Sequence, residues 1–251
     1  RIPLVATCHT SWEDYAQFYF SAIPPRLAKW IGRHYMRATY RHDRFITVPT
    51  QPMAEQFRGY GFGKRLRLLS SGVDAGRFAV NGTDLDSIRQ PLWDRSPRLP
   101  KGPVLLFAGR GVREKNLAFL LRAFARILKG RPDASLLIVG VGAYRADMER
   151  EARDMGVDHA CCFAGYAPFT EMPKYYRLAT VFVFPSLTET QGLVTIEAML
   201  CGLPVVAIGA MGTLDVMGGD NGGFMVREDE AEFADRTLDL LNDPDLHARK
   251  K

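Results

Sequence analysis

From residue 104 onward, short apolar runs alternate with longer amphipathic stretches, and this alternation limits the fold more than any other feature of the chain. Residues 104–108, 135–139, 161–164, 181–184, 205–208 and 224–226 read as strands. Residues 117–128, 145–155, 172–178, 193–200 and 230–241 carry helical periodicity. Strands buried on both faces appear as continuous apolar runs rather than as alternation. A strand–helix repeat of this kind predicts a parallel sheet covered by helices on both faces.

The stretch 184–200, FPSLTETQGLVTIEAML, joins one of these strands to the next helix. Pro185 and Ser186 end the strand, and Thr188 to Gly192 form a polar turn. Residues 193–200 then read as a helix with Leu193, Ile196 and Leu200 on one face. Glu189 falls in the turn at the carboxyl end of the strand. Glu197 falls on the helix, with seven residues between the two. Ligands of open α/β sheets bind outside the carboxyl ends of the strands. The free N–H groups of residues 190–193 are expected to point to the same place. Carboxylates do not hold phosphate, but they accept hydrogen bonds from hydroxyls, which a nucleotide sugar carries on both sugar and ribose. Taken alone, Glu189 reads as a helix cap and Glu197 as a solvated helix residue.

Other strand ends carry a similar chemistry. Gly109-Arg110 follows the first strand of the repeat, with Lys115 five residues on, and two cations at a strand-to-helix turn suit a diphosphate. Gly140-Val141-Gly142 follows the second strand, and Gly165-Tyr166 the third. Before residue 95 the pattern is shorter. Strands are expected at 3–8, 45–48 and 66–69, and helices at 12–20, 26–42 and 51–60. His9 lies just past the first of these strands. Residues 94–103, DRSPRLPKGP, read as a linker.

Charge separates the two parts. Of 251 residues with a net charge of +5, residues 1–101 hold 16 Lys/Arg and 8 Asp/Glu, and residues 102–251 hold 17 and 20. The positive field therefore belongs to the first part, where Arg26, Lys29, Arg33, Arg37 and Arg41 recur at helical spacing as one stripe. Leu27, Trp30, Ile31 and Ala38 lie mostly on another side. A basic amphipathic helix with a Trp suits an anionic bilayer surface, and the alternative is a surface helix with a solvated basic face. No stacking aromatics or reading helix point to nucleic acid. No apolar run approaches the ~20 residues that span a membrane. The chain opens on Arg1 without a signal peptide and reads as starting inside a longer protein. Cys8, Cys161, Cys162 and Cys201 lack zinc spacing and read as buried thiols of a reducing cytosol.

The stretch 184–200, followed by GLPVVAI, resembles the signature of retaining glycosyltransferases of family four. VATCHTSWEDY at 5–15 is similar to the segment after the third or fourth acceptor-domain strand in that family. Its WEDY run looks like glycolipid-making members of the diacylglycerol glucosyltransferase type. SSGVDAGRF at 70–78 resembles the turn that leads to the interdomain linker, with Ser71 where relatives commonly carry Asn or Arg. The resemblance implies an α/β protein of the GT-B fold, two Rossmann-like domains facing across a cleft, the N-terminal one lacking its opening strands in this chain. The expected division is 1–95 for the later part of the acceptor-binding domain, 96–103 for the linker and 104–251 for the nucleotide-sugar-binding domain.

Residue roles follow from the same resemblance. His9 is expected beside the transferred sugar. Arg110 and Lys115 are expected to clamp the donor diphosphate, and Glu189 completes the catalytic set. Gly109, Gly140, Gly142, Gly165, Tyr166, Thr190, Gln191, Gly192, Leu193 and Glu197 are expected to line the donor. The family needs no D-x-D metal motif, so neither metal nor cofactor is expected beyond the donor substrate. The expected reaction moves a hexose, from UDP-glucose in preference to GDP-mannose, to a lipid acceptor. The expected setting is cytoplasmic, peripheral on the cytoplasmic membrane face. A transferase with a polysaccharide or soluble acceptor and a non-catalytic sugar-nucleotide-binding module remain the alternatives.

Overall fold

The computed structural model describes residues 3–20, 22–78, 85–95, 102–218 and 222–251. In chain order the elements are β1 (Val5–Thr7), α1 (Trp12–Tyr19), α2 (Pro25–Tyr40), β2 (Phe45–Val48), α3 (Gln51–Gly59), β3 (Leu66–Leu68), α4 (Ala75–Phe78), α5 (Asp86–Arg95), β4 (Val104–Ala108), α6 (Leu117–Gly130) and β5 (Ser135–Val139). They continue with α7 (Arg145–Asp154), β6 (Cys161–Gly165), α8 (Met172–Leu178), β7 (Val181–Phe184), α9 (Leu193–Leu200), β8 (Val205–Ile208), α10 (Gly212–Val216), β9 (Gly223–Val226), α11 (Glu230–Asn242) and α12 (Pro244–Arg249). The chain forms two compact units. The first is Arg1–Gly72 with Leu187–Gly192 and Ala210–Val216, and the second is Val73–Ser186, Leu193–Gly209 and Met217–Lys251. The boundary at Val73 lies ahead of the linker expected at 96–103, of which residues 96–101 are outside the described residues.

In the first unit β1, β2 and β3 form a parallel sheet in that order, with Val5 opposite Phe45 and Ile46 opposite Leu66. Its core is Met36, Ile46, Val48, Met53, Phe57, Tyr60 and Phe62, with Cys8 at the end of β1. Helix α2 buries only Ala28, Gly32 and Met36, one residue per turn. Gly32 is required there, because a Cβ would lie 2.5 Å from the Trp12 carbonyl oxygen of α1. The narrow stripe leaves Leu27, Trp30, Ile31 and Tyr35 exposed beside the basic residues. Arg33 is not a free member of that row. Its guanidinium donates to Glu13 from Nε (3.3 Å) and Nη2 (2.8 Å), and Glu13 also accepts from the Tyr60 hydroxyl (2.6 Å).

The second unit is built on a six-stranded parallel sheet of order β6-β5-β4-β7-β8-β9. Every residue of β4, β5, β7 and β8 is buried, as expected for strands covered on both faces. The order runs outward from β4 in one direction and from β7 in the other. The carboxyl ends of β4 and β7 therefore flank a topological switch point, the usual ligand crevice of such sheets. Phe107 of β4 stacks with Phe184 of β7 at a centroid distance of 6.2 Å, and Phe182 stacks with Phe184 at 5.9 Å. Helix α11 begins at Asp229, whose carboxylate accepts the Ala231 and Glu232 N–H groups at 2.9 Å.

Four helices lie outside the sequence expectation: α4, α5, α10 and α12. Helix α5 holds Pro91 within it, and α4 and α10 have four and five residues, so none carries a readable period. Helix α9 also turns a different face inward. Thr195, Glu197 and Ala198 are buried, and Leu193, Ile196 and Leu200 are only half-buried. The stretch is apolar nearly all round, so its periodicity does not fix a side. Among the described residues no helix is long and apolar enough to cross a membrane.

Candidate functional site

At the switch point of the second unit, a cavity of about 320 Å³ opens at the carboxyl ends of β4, β5 and β6. Gly109 and Arg110 reach it from β4, Gly140 and Val141 from β5, and Tyr166 from β6. Met172 and Tyr176 of α8 and Val194 and Glu197 of α9 complete the wall. The turns are stitched together beyond the sheet. The Gly109 N–H donates to the Val139 carbonyl (3.0 Å), Gly140 N–H to Gly165 O (2.7 Å) and Gly111 N–H to Val141 O (3.0 Å). Gly140 has φ +133°, and a Cβ there would lie 1.9 Å from Gly109 O. The spacing of these glycines thus reflects close backbone packing, which also lets a ligand approach the main chain.

Charge is divided across the cavity. Arg110 is exposed, and its Nη2 donates at 3.3 Å to Oε1 of Glu114, which is only 4% exposed. The buried carboxylate therefore orients the guanidinium from one side. Lys115 lies off the cavity wall, in the turn Arg113–Lys115, buried, with Nζ 5.7 Å from the ring centre of Phe184. Glu197 is 8% exposed and accepts the Tyr176 hydroxyl at Oε2, 2.7 Å away. Burial raises the Glu197 carboxyl above its ordinary range, and the Tyr176 hydrogen bond works against that rise. Burial, with the nearby carboxylate, pushes the Tyr176 phenol well up, so it stays a donor. A cation at glycine-rich turns suits a diphosphate, and a buried carboxylate with an open acceptor oxygen suits hydroxyls.

His9, Glu189, Thr190, Gln191 and Gly192 lie in the first unit. His9 follows β1, and the Glu189 turn belongs to the same unit. Glu189 Oε1 accepts the N–H groups of Gln191 and Gly192, both at 3.4 Å, so these amides face its own carboxylate rather than open space. The Thr190 hydroxyl donates to the His9 carbonyl at 2.8 Å. Leu193 is the first residue of α9, Gly142 lies in the turn after β5 and Gly165 is the last residue of β6, all in the second unit. The sequence had placed Glu189 and Glu197 at one cavity. The structure brings Glu197, Arg110, Gly109, Gly140 and Tyr166 together, and it groups Glu189, Thr190, Gln191 and Gly192 with His9. Sequence reasoning missed Tyr176: one of the two adjacent tyrosines in MPKYYRL carries no signal of its own. Among the described residues no group of three or more His, Cys, Asp or Glu is placed to hold a metal.

The Tyr176–Glu197 pair generates a pH-dependent prediction. A carboxyl whose folded pKa is raised penalises the folded state as pH climbs from the unfolded value through the raised one, and the penalty is constant above it. Tyr176→Phe removes the opposing donor and raises the carboxyl further. Its cost should reach about 1.5–3 kcal/mol at about pH 8 and be smaller at about pH 5, because the hydroxyl serves the ionised form of the carboxyl. Urea unfolding at the two pH values measures this. Equal losses at both would show that the hydroxyl does not serve the carboxylate.

Comparison with known proteins adds to this geometry. Residues 102–243 match the model of the family Glycosyl transferases group 1, and residues 1–77 that of Glycosyltransferase Family 4. The alpha-monoglucosyldiacylglycerol synthase of Streptococcus pneumoniae is 27% identical over 215 residues, 83% of this chain and 47% of that protein. The D-inositol 3-phosphate glycosyltransferase 2 of Catenulispora acidiphila is 30% identical over 97% of this chain and 58% of that protein. The chain spans about half the length of the curated relatives it matches. Anabaena Alr3699/HepE, solved in complex with UDP and glucose, shares the fold at a TM-score of 0.82 and 20% identity, over 98% of this chain and 64% of that one. The solved neighbours are GT-B glycosyltransferases, in keeping with the parallel α/β sheets. With one model matched over more than half of its length, the chain belongs to the group 1 glycosyltransferases, its opening residues to family 4, in the GT-B fold.

Proposed function

We propose that the protein is a retaining glycosyltransferase, independent of metal, that moves a hexose from a nucleoside-diphosphate sugar to a lipid acceptor at a membrane surface. UDP-glucose is the favoured donor and GDP-mannose the second. One observation carries the donor part: the switch-point cavity presents Arg110 at a glycine turn and Glu197, held by Tyr176, on its wall. In this reading Glu197 accepts the ribose hydroxyls, and Gly109, Gly140 and Arg110 meet the diphosphate. Lys115 adds positive charge beside the same turn. The bond from sugar C1 to the phosphate oxygen breaks, and the acceptor oxygen bonds C1 on the same face. The acceptor proton passes to the departing diphosphate. Arg110 and Lys115 stabilise the charge that develops on that leaving group. His9 and Glu189 are assigned to the transferred sugar in this reading, on the family resemblance. The Anabaena protein's complex with UDP and glucose supports a uridine donor.

The acceptor part rests on α1 and α2 and on the pneumococcal relative named for a glycolipid. Trp12, Ala16, Phe20, Ile31, Gly32 and Tyr35 line an apolar groove of about 290 Å³ between the two helices. Arg26, Lys29, Arg37 and Arg41 form an exposed basic stripe on and just past α2, and Trp30 is exposed as well. The inositol phosphate transferase from Catenulispora favours a second reading, a small polar acceptor taken from solution.

Two measurements on the whole protein test these parts. Arg110→Ala should lower turnover about 10²–10³-fold, the usual cost of a lost donor to transition-state charge. Unchanged turnover would remove Arg110 from the reaction. Vesicles test the membrane part. Each cation near an anionic surface contributes about 1 kcal/mol, screened within about 8–10 Å by salt. Binding to anionic vesicles should exceed binding to neutral ones, weaken with salt, and fall in the double variant Lys29→Glu, Arg37→Glu. These positions are chosen because Arg33 is held by Glu13. Equal binding to both vesicle types, or none, would leave a solvated basic face and favour the soluble acceptor.

A further inference from the structure

We propose that Thr50 is a positioning residue that fixes the Glu189 turn against His9 through Thr190; the roles of His9 and Glu189 rest on the function proposed above. Thr50 is the N-cap of α3, yet its side chain makes no cap hydrogen bond. An N-cap threonine ordinarily accepts a backbone N–H of its own helix. The second residue of α3 is Pro52, which has no N–H to offer a cap, and the first amide, Gln51 N–H, donates to Asp215 Oδ2 of α10 at 2.7 Å. The Thr50 hydroxyl has a partner outside its own helix: it donates to the Thr190 carbonyl at 2.9 Å. Thr190 in turn donates its hydroxyl to the His9 carbonyl at 2.8 Å. Thr50 and Thr190 are both buried, at 3% and 7% exposure, so water does not compete for these bonds.

The segment that supplies Asp215 also braces the turn. Gly212 N–H donates to the Glu189 carbonyl at 2.7 Å, and a Cβ on Gly212 would lie 2.5 Å from the Gln191 nitrogen. Met211, just before it, holds a left-handed φ of +47° and packs on the core of the first unit. A strained non-glycine residue persists only where its surroundings hold it firmly. Thr50, Thr190 and His9 thus form a chain of hydrogen bonds that runs one residue from Glu189. Removing its first link shifts the Glu189 turn relative to His9. It leaves the residues of the nucleotide cavity, which are in the second unit, unaltered.

The test compares Thr50→Val, which keeps the shape and loses the hydroxyl, with Thr50→Ser, which keeps the hydroxyl. In the whole protein, Thr50→Val should lower kcat roughly 10–100-fold, as expected for a misplaced catalytic group. Its affinity for UDP and its KM for UDP-glucose should stay near wild type, and Thr50→Ser should restore most of kcat. A general structural role would instead shift the urea midpoint and UDP affinity together. Wild-type kcat in Thr50→Val, or equal losses in the Val and Ser variants, would overturn the proposal while leaving the transferase reading intact. If Thr50→Val does not fold, Thr50→Ala read against Thr50→Ser makes the same comparison. If the wild type transfers no sugar from any donor, the transferase reading fails. The tie itself is then read from hydrogen exchange at the Gln191 and Gly192 amides. Faster exchange in the Val than in the Ser variant supports the tie, and equal exchange overturns it.

Discussion

The constraint on which the rest depends is the burial of a parallel sheet on both faces. Strands β4, β5, β7 and β8 expose no side to solvent, so chemistry is confined to their ends. The reversal of strand order between β4 and β7 then opens space at one place along the carboxyl edge. Gly109 and Gly140 close the turns tightly enough for backbone groups to line that space, and Arg110 enters it because it follows β4 directly. The electrostatics follow from the same burial. Glu197 sits where ionisation is costly, and the Tyr176 hydroxyl offsets part of that cost. A carboxylate held this way keeps one oxygen engaged and the other available to hydroxyls.

The second consequence concerns the loops after β7 and β8. Both leave the unit that their strands belong to and cluster with the first one. The Thr190 carbonyl accepts the Thr50 hydroxyl, the Glu189 carbonyl accepts the Gly212 amide, and the Thr190 hydroxyl donates in turn to the His9 carbonyl. Buried main-chain groups demand such partners, and distant threonines supply them here. The Glu189 turn is therefore held by residues 140 and 181 positions away in sequence rather than by its own strand and helix.

This explains which features were legible beforehand. The strands of the second unit are readable almost to the residue, because continuous apolar runs end at glycine or proline. The Gly109-Arg110 and Gly140 turns are readable because they must follow those strands. Strand order is not, since it depends on packing between distant segments. The inward face of α9 is hidden because residues 193–200 are apolar on nearly every side. Glu197 was singled out through the resemblance of its surroundings, but its partner Tyr176 was not, because a tyrosine at a helical core position looks the same with or without a carboxylate beside it. Asp215 as the partner of the Gln51 amide was equally hidden, because the two lie 164 positions apart.

The central claim is that the switch-point cavity of the second unit holds the donor nucleotide. A crystal structure of the protein soaked with UDP tests it most directly. The account predicts the diphosphate against Gly109 and Arg110, with a ribose hydroxyl at about 2.6–3.2 Å from a Glu197 oxygen. A nucleotide bound elsewhere, or one whose ribose turns away from Glu197, would contradict it.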